Sequence, residues 1–462
     1  MFLKKFCFLF LPLVMLFNVC LFAAGTCGAF AEKKKKNDYK AWKDCGVVVY
    51  TTQQETSVLS VIDPVKMKVV GEIADVGEEN HNVFTSYDGR YVYVSAGKDI
   101  IKIEIKKKFK ATVIKRNQII SEEEMAHIHL AHIALTLDGK KLYIADGKDN
   151  VYVVDAETLE TITTINIPVG LDDVVTSIRD ALDEMWEDED SNPHGLALHP
   201  GGRYVYVPNA WSGSVSIIDT YTDEIRKTVN LNATDSTQQG HGTTPVALGF
   251  SIDGHYCFVS CAVPGYVCIL NTADPSNPTI ENTVSVGLSP IQVPANPTNK
   301  YFIAPCQTSS LLNNDTTSEN GVPDPVFSNT VWVSWVNDNI DTALDLVEAL
   351  LNALHAAEPS ETNDDQDDAC FVVEIDDNYN HNGTAWEIID SVVSGKGPHG
   401  VSYTPGGNFA FVTHAQEILK KESGMVAVIE ETDEGEFEVT QEIPVGLFPN
   451  GIATKFGRNQ NM

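Results

Sequence analysis

Pro193-His194-Gly195-Leu196-Ala197-Leu198-His199-Pro200-Gly201-Gly202-Arg203-Tyr204-Val205-Tyr206-Val207 is one full copy of a unit that recurs through the 462-residue chain. A short apolar run leads into a Gly-Gly turn, and an aromatic, β-branched run follows. Equivalent turns stand at Asp88-Gly89, Asp138-Gly139, Asp253-Gly254, Thr298-Asn299 and Gly406-Gly407, and Lys455-Phe456-Gly457 is a degenerate seventh. Turn residues between β-branched runs signal antiparallel hairpins. A third run tends to end in Asp, as in Val151-Tyr152-Val153-Val154-Asp155, and a fourth in Val-Gly, as at Val286-Gly287 and Val445-Gly446. The unit opened by Pro449-Asn450-Gly451-Ile452-Ala453-Thr454 finds its continuation at the other end of the chain, in Val47 to Thr52 and Val58 to Asp63. A unit split between both termini seals a ring and leaves no free sheet edge. The predicted fold is all-β: a single seven-bladed β-propeller with four strands per blade and the first blade closed by both termini.

The remaining organisation follows from where the repeat is absent. Residues 1–31 read as a signal peptide: Lys4 and Lys5 precede the apolar run Phe6 to Phe22, and Ala29-Phe30-Ala31 offers a small-residue cleavage site. Residues 32–44 read as a linker, 45–457 as the propeller and 458–462 as a tail. The expected location is exported, periplasmic or extracellular, with no membrane attachment after cleavage. Segments 171–190 and 307–369 interrupt the rhythm and carry apolar residues at helical spacing, among them Val174, Ile178 and Leu182 in the first and Leu344, Val347 and Leu351 in the second. Both are expected as helical insertions on one face of the ring.

Loss of Lys4 and Lys5 would take the formal net charge from −32 to about −34. Such a surface argues against nucleic acid, which needs a basic footprint, and suits a small ligand or a protein partner of basic character. Six cysteines lie beyond the leader: Cys45, Cys257, Cys261, Cys268, Cys306 and Cys370. No Cys-x-x-Cys-His occurs, so c-type haem is not expected. Gly395-Lys396-Gly397-Pro398-His399-Gly400 fits a dinucleotide fingerprint in letters only, since it joins two strands and opens no helix.

The units resemble the YVTN-type repeat, as in Tyr204-Val205-Tyr206-Val207-Pro208-Asn209 and Phe409-Ala410-Phe411-Val412-Thr413-His414. Similar propellers include surface-layer and extracellular binding proteins, lactonase-like enzymes, the haem-d domain of a nitrite reductase class and the copper-bearing domain of nitrous oxide reductases. His81-Asn82-Val83 through Ser95 to Asp99 looks like a haem-d blade, and Pro398-His399-Gly400-Val401 through Gly407 looks like a nitrous oxide reductase blade. In those two families the resemblance implies channel histidines that hold the cofactor. The likeness fixes a fold and leaves the chemistry open.

Registering every unit on its first turn exposes two columns. Seven residues before the turn stand His81, Ala131, His194, Val246, Ile291 and His399, and Asn450 holds the matching place in the degenerate unit, at the mouth end of the strands that line the channel. His129 and His132 flank Ala131. His81, His194 and His399 are therefore candidate metal ligands, with His129 and His132 as weaker ones. The second column closes the second strands and includes Cys261, Cys306 and His414, a further weaker set. Imidazole and thiolate suit copper or zinc, and non-covalent haem is a third possible cofactor. The sequence supports three functions: an exported ligand- or protein-binding module acting through the channel mouth; a copper- or haem-dependent oxidoreductase or cofactor-handling protein; and a lactonase-like hydrolase.

Overall fold

The computed structural model describes residues 46–455 apart from 108, 122–128, 169–191, 211, 232–243, 263–264, 288, 308–367, 376–385, 415–422 and 433–434. Among the described residues there is no α-helix, and the strands form seven separate sheets. The helical insertions expected at 171–190 and 307–369 fall outside the described residues, save for Gln307 and for Asp368 and Ala369, which belong to the strand Asp368–Glu374. Six sheets have four strands. Blade six has three, and isolated bridges from Pro290 to Cys306 and from Ala295 to Phe302 stand where its inner strand would be.

Blade one is built from both ends of the chain. Ile452–Lys455 pairs antiparallel with Val48–Gln53, which pairs in turn with Val58–Asp63 and Lys68–Ala74. The register sets Val48 opposite Lys455 and Thr51 opposite Ile452. The Thr52 N–H continues the ladder onto the Gly451 carbonyl (3.0 Å), and the Gln54 N–H reaches the Phe448 carbonyl (3.0 Å). The split repeat does close the ring.

Burial explains why the middle strands read as nearly unbroken apolar runs. Successive side chains of a strand point to opposite faces, and both faces of a blade are covered by neighbours. Val48, Tyr50, Leu59 and Val61 pack against Val92, Val94 and Ile101 of blade two. Val47, Val49 and Ile62 pack the other way, against Phe411, Val426 and Val428 of blade seven. Each such fully buried aliphatic side chain contributes roughly 1.5–3 kcal/mol. Outer strands lie at the rim and alternate, as Glu224–Asn230 does.

The first turns repeat one geometry. Gly89, Gly139, Gly202, Gly254 and Gly407 all sit at φ between 65° and 78°, and Asn299 takes the same position in blade six at φ 59°. Only glycine, or asparagine and aspartate at small cost, visits that region routinely.

At the channel the inner strands press backbone to backbone. A Cβ on Gly195 would lie 2.6 Å from the Ala247 Cα, one on Gly400 2.5 Å from the Asn450 carbonyl oxygen, and one on Gly451 2.7 Å from the His81 carbonyl oxygen. That contact is the physical meaning of the glycine in Pro-His-Gly and Pro-Asn-Gly.

Ending the chain after Gly446 removes the closing strand and leaves the Val48–Gln53 edge unpaired. The expected loss is at least about 3 kcal/mol, from buried Ile452 and the vacated ladder, read as a lower urea midpoint. Equal midpoints for the truncated and full chains would show that the ring stands without its last strand.

Candidate functional site

The mouth position is a β-bulge. In blade two the pairing runs from Asn80 opposite Ala96 to Asn82 opposite Ser95, so His81 is the extra residue. In blade five the shift falls between Pro245 and Ala247, around Val246. In blade seven it falls between Pro398 and Val401, around His399 and Gly400. A bulge bends its strand and re-aims a side chain. Three blades thus carry the bulge at the mouth position.

His81, His194 and His399 hold this position, and with His129 and His132, which flank Ala131, they meet. The His81 ring centroid lies 5.0 Å from that of His194, 5.2 Å from His129, 5.6 Å from His132 and 6.5 Å from His399. His132 and His194 stand 5.2 Å apart. Nitrogens of His81, His129 and His194 all lie within 4.8 Å of one another, and among the described residues this is the one group of three potential metal ligands so spaced. Backbone links between blades hold the group: the His132 N–H donates to the His194 carbonyl (3.3 Å), and the Gly195 N–H to the Val246 carbonyl (2.8 Å).

The cluster is largely enclosed and uncharged. His81, His132 and His399 are 5 to 7 % exposed, and His129 and His194 are half-buried. Burial pushes His132 down to about 4 and His399 to about 3, with His132 adding to the shift of His399. Burial and then the neighbouring imidazoles hold His81 and His194 well below the ordinary histidine range. Burial also lowers His129, opposed by the carboxylates of Glu79 and Asp146. At neutral pH these rings are therefore neutral, each with one lone-pair nitrogen.

Several of those nitrogens have no protein partner. His81 Nε2, His132 Nε2, His194 Nδ1 and His399 Nδ1 are buried and unpaired among the described residues. Buried polar atoms normally find a partner, so four orphans in one cluster mark a place built for something else. The other ring nitrogens are engaged: His194 bonds the Val246 backbone, His399 the Asn450 backbone, and His81 Nδ1 lies 3.1 Å from Asn450 Nδ2. Gln54 Oε1 accepts from the same amide at 3.0 Å. Asn450 shares the histidines' register, which was the signal for it in the sequence. Gln54, Glu79 and Asp146 carry no such mark.

The second column goes elsewhere. Cys261 packs in the core between blades four and five, and Cys306 in that between blades five and six. Each thiol donates to a carbonyl two residues back, at 3.6 Å. Among the described residues, Cys257, Cys261, Cys268, Cys306 and Cys370 are buried and form no disulfide. His414, fully buried, lies opposite Pro398 and beside Gly395. None of the three column residues shares the group formed by His81, His129 and His194. His399 closes the cluster from the blade-seven side.

Comparison with known proteins fits this architecture. No curated protein matches the chain. Among solved structures, a Bacteroides uniformis protein described as a candidate 6-phosphogluconolactonase superposes with a TM-score of 0.59 at 12 % identity, over 88 % of this chain and 98 % of its own. The Pseudomonas aeruginosa periplasmic gluconolactonase gives 0.54 at 12 % identity, over 88 % and 99 %. A functionally unknown protein from Desulfotomaculum acetoxidans gives 0.57 at 14 % identity, over 89 % and 99 %. At such identities the likeness is one of fold. Of the propeller types that the repeats resemble, the lactonase-like one is the family shown. The family model "Lactonase, 7-bladed beta-propeller" matches residues 31–314, more than half of the sequence, and the chain belongs to that lactonase family.

Proposed function

We propose that the protein is a lactonase-like hydrolase that opens a cyclic ester with water at the histidine-lined mouth of its channel. The carrying observation is the convergence of five neutral imidazoles, four with an unpaired buried nitrogen, at one end of a lactonase-family propeller. Lactone opening needs a water that can lose a proton while it attacks the carbonyl carbon. A neutral imidazole offers the lone pair that can accept that proton. The ring C–O bond then breaks, the leaving oxygen takes a proton, and a hydroxy acid leaves. The apolar side chains at the mouth positions of blades five and six, Val246 and Ile291, offer a wall for the carbon skeleton. Binding without chemistry, the other use of such a face, is the outcome left if no ester is opened. Export of the protein is supported by the leader-like residues 1–31 and by the periplasmic description of the Pseudomonas aeruginosa relative.

Acid release from a panel of γ- and δ-lactones tests the proposal. At least one lactone is expected to turn over, and His81→Ala or His194→Ala to lower kcat by about a hundredfold or more with the fold retained. A panel that stays intact, or a rate indifferent to both variants, defeats the hydrolase.

The same burial gives a pH signature. In the unfolded chain His132 and His399 titrate near ~6.5, in the folded chain near about 4 and about 3. Above ~6.5 neither state is protonated and stability is complete. Below it the unfolded chain takes up protons that the folded chain refuses, so stability falls as pH drops toward the folded values. Each ring contributes a slope of up to ~1.4 kcal/mol per pH unit. The urea midpoint is expected to fall between pH 7.5 and 5.5, and less steeply in a His132→Gln, His399→Gln variant. Parallel profiles for the two proteins would mean that the rings protonate freely in the folded state.

A further inference from the structure

We infer that His81, His129 and His194 bind one divalent transition-metal ion, zinc or copper, at the channel mouth, with Asn450 as the residue that orients His81. The inference deepens the hydrolase proposal and draws on it only for the chemistry the ion would perform. The geometry comes first. Three nitrogens lie mutually within 4.8 Å. Around an ion at ~2.1 Å in tetrahedral geometry they would stand about 3.4 Å apart, so closure asks about an ångström or so of side-chain movement. The rings around His81 crowd to 5.0–5.6 Å, a spacing that admits a single ion and no macrocycle. All three donors are imidazoles, a set that suits zinc and copper. They come from three segments, in blades two and four and on the approach to blade three between them, so the ring's own rigidity sets their spacing.

The unpaired nitrogens identify the ligand atoms of two of the rings. His194 is engaged through the Val246 backbone and keeps Nδ1 buried and free. His81 keeps Nε2 buried and free while its Nδ1 faces the Asn450 amide. A metal-bound histidine usually donates its second N–H to an acceptor, which fixes its tautomer. The oxygen and nitrogen of an amide have the same shape. With the Asn450 amide turned so that Oδ1 faces His81, Nδ1–H donates to it and Nε2 is the lone pair. Gln54, 3.0 Å from the same amide, turns with it and presents its NH2. Three protein ligands leave the ion a coordination position for water, as in catalytic zinc sites. The ion would lower the pKa of that water to ~7. Its proton goes to solvent, the hydroxide adds to the lactone carbonyl carbon, the ring C–O bond breaks, and the leaving oxygen is reprotonated from solvent. One water is consumed and nothing is oxidised or reduced.

The full chain, stripped with chelator, is titrated with zinc chloride and with copper(II) chloride at pH 7.5 by calorimetry, and bound metal is counted. One ion per chain is expected. His81→Ala, His129→Ala and His194→Ala each weaken binding at least a hundredfold, and His255→Ala, far from the cluster, leaves it unchanged. Asn450→Leu weakens binding roughly 10–100-fold, whereas Asn450→Asp, an obligate acceptor for His81 Nδ1–H, restores or tightens it. A purely structural Asn450 would not be rescued in metal affinity by Asp. Should a variant fail to fold, cobalt(II) in the wild-type chain decides: intense visible bands mark a low-coordinate nitrogen site. Weak bands of hydrated cobalt, no stoichiometric uptake, or uptake indifferent to all three alanine variants overturns the site. One ion bound with no lactone opened leaves the site standing and removes the hydrolase. Lactone opening unchanged after metal stripping, in a chain that takes up no ion, does the reverse.

Discussion

Seven sheets can share one axis only if their innermost backbones touch. That constraint is met where Gly195, Gly400 and Gly451 stand with no room for a Cβ against the next blade. The contacts are also hydrogen-bonded. The Gly195 N–H reaches the Val246 carbonyl (2.8 Å), the Gln292 N–H the His399 carbonyl (3.4 Å), and the Thr413 hydroxyl the Asn450 carbonyl (2.9 Å). Circumferential stitching of this kind satisfies polar groups that the bulges would otherwise leave unpaired. The apolar clusters between blades then fill the wedge-shaped space outside it.

The histidines' chemistry follows from the same convergence. A residue turned toward the axis has other blades' mouth residues for neighbours and little water. Desolvation disfavours the charged imidazolium, and each further imidazole adds to that bias. Neutral rings with free lone pairs are the result, in a protein whose net charge is −32. The acidic surface and the uncharged mouth are thus separate properties: one serves solubility, the other leaves a set of nitrogen donors.

Much of this was legible in the chain. The Asp-Gly and Gly-Gly turns fixed the blade register, and with it the shared position of His81, His194, His399 and Asn450. The closure of blade one was visible in the split repeat. The bulge was not. A period-two reading of a strand cannot show that His81 is an extra residue between Asn80 and Asn82, and so cannot show which way it points. For that reason the second column looked comparable to the first, although Cys261 and Cys306 lie in inter-blade cores. His129 was read as a weaker candidate than the register histidines, because it precedes the inner strand Ile133–Leu135 and joins the cluster from a segment that no repeat describes. Gln54 reaches Asn450 only because the two ends of the chain meet, a contact that no local pattern encodes.

The bond between His81 and Asn450 joins residues 369 positions apart. One belongs to the second blade and the other leads into the strand that completes the first. A growing chain can therefore fold blade upon blade with the histidine cluster still lacking one wall. The mouth acquires its full set of neighbours only when the final segment docks, so occupancy of the site is tied to the completion of the ring. A chain clipped near its C-terminus would keep most of its sheets and lose the registration of the histidines that meet at the mouth. The closing strand thus doubles as a timer: it sets when in the molecule's history the pocket begins to exist.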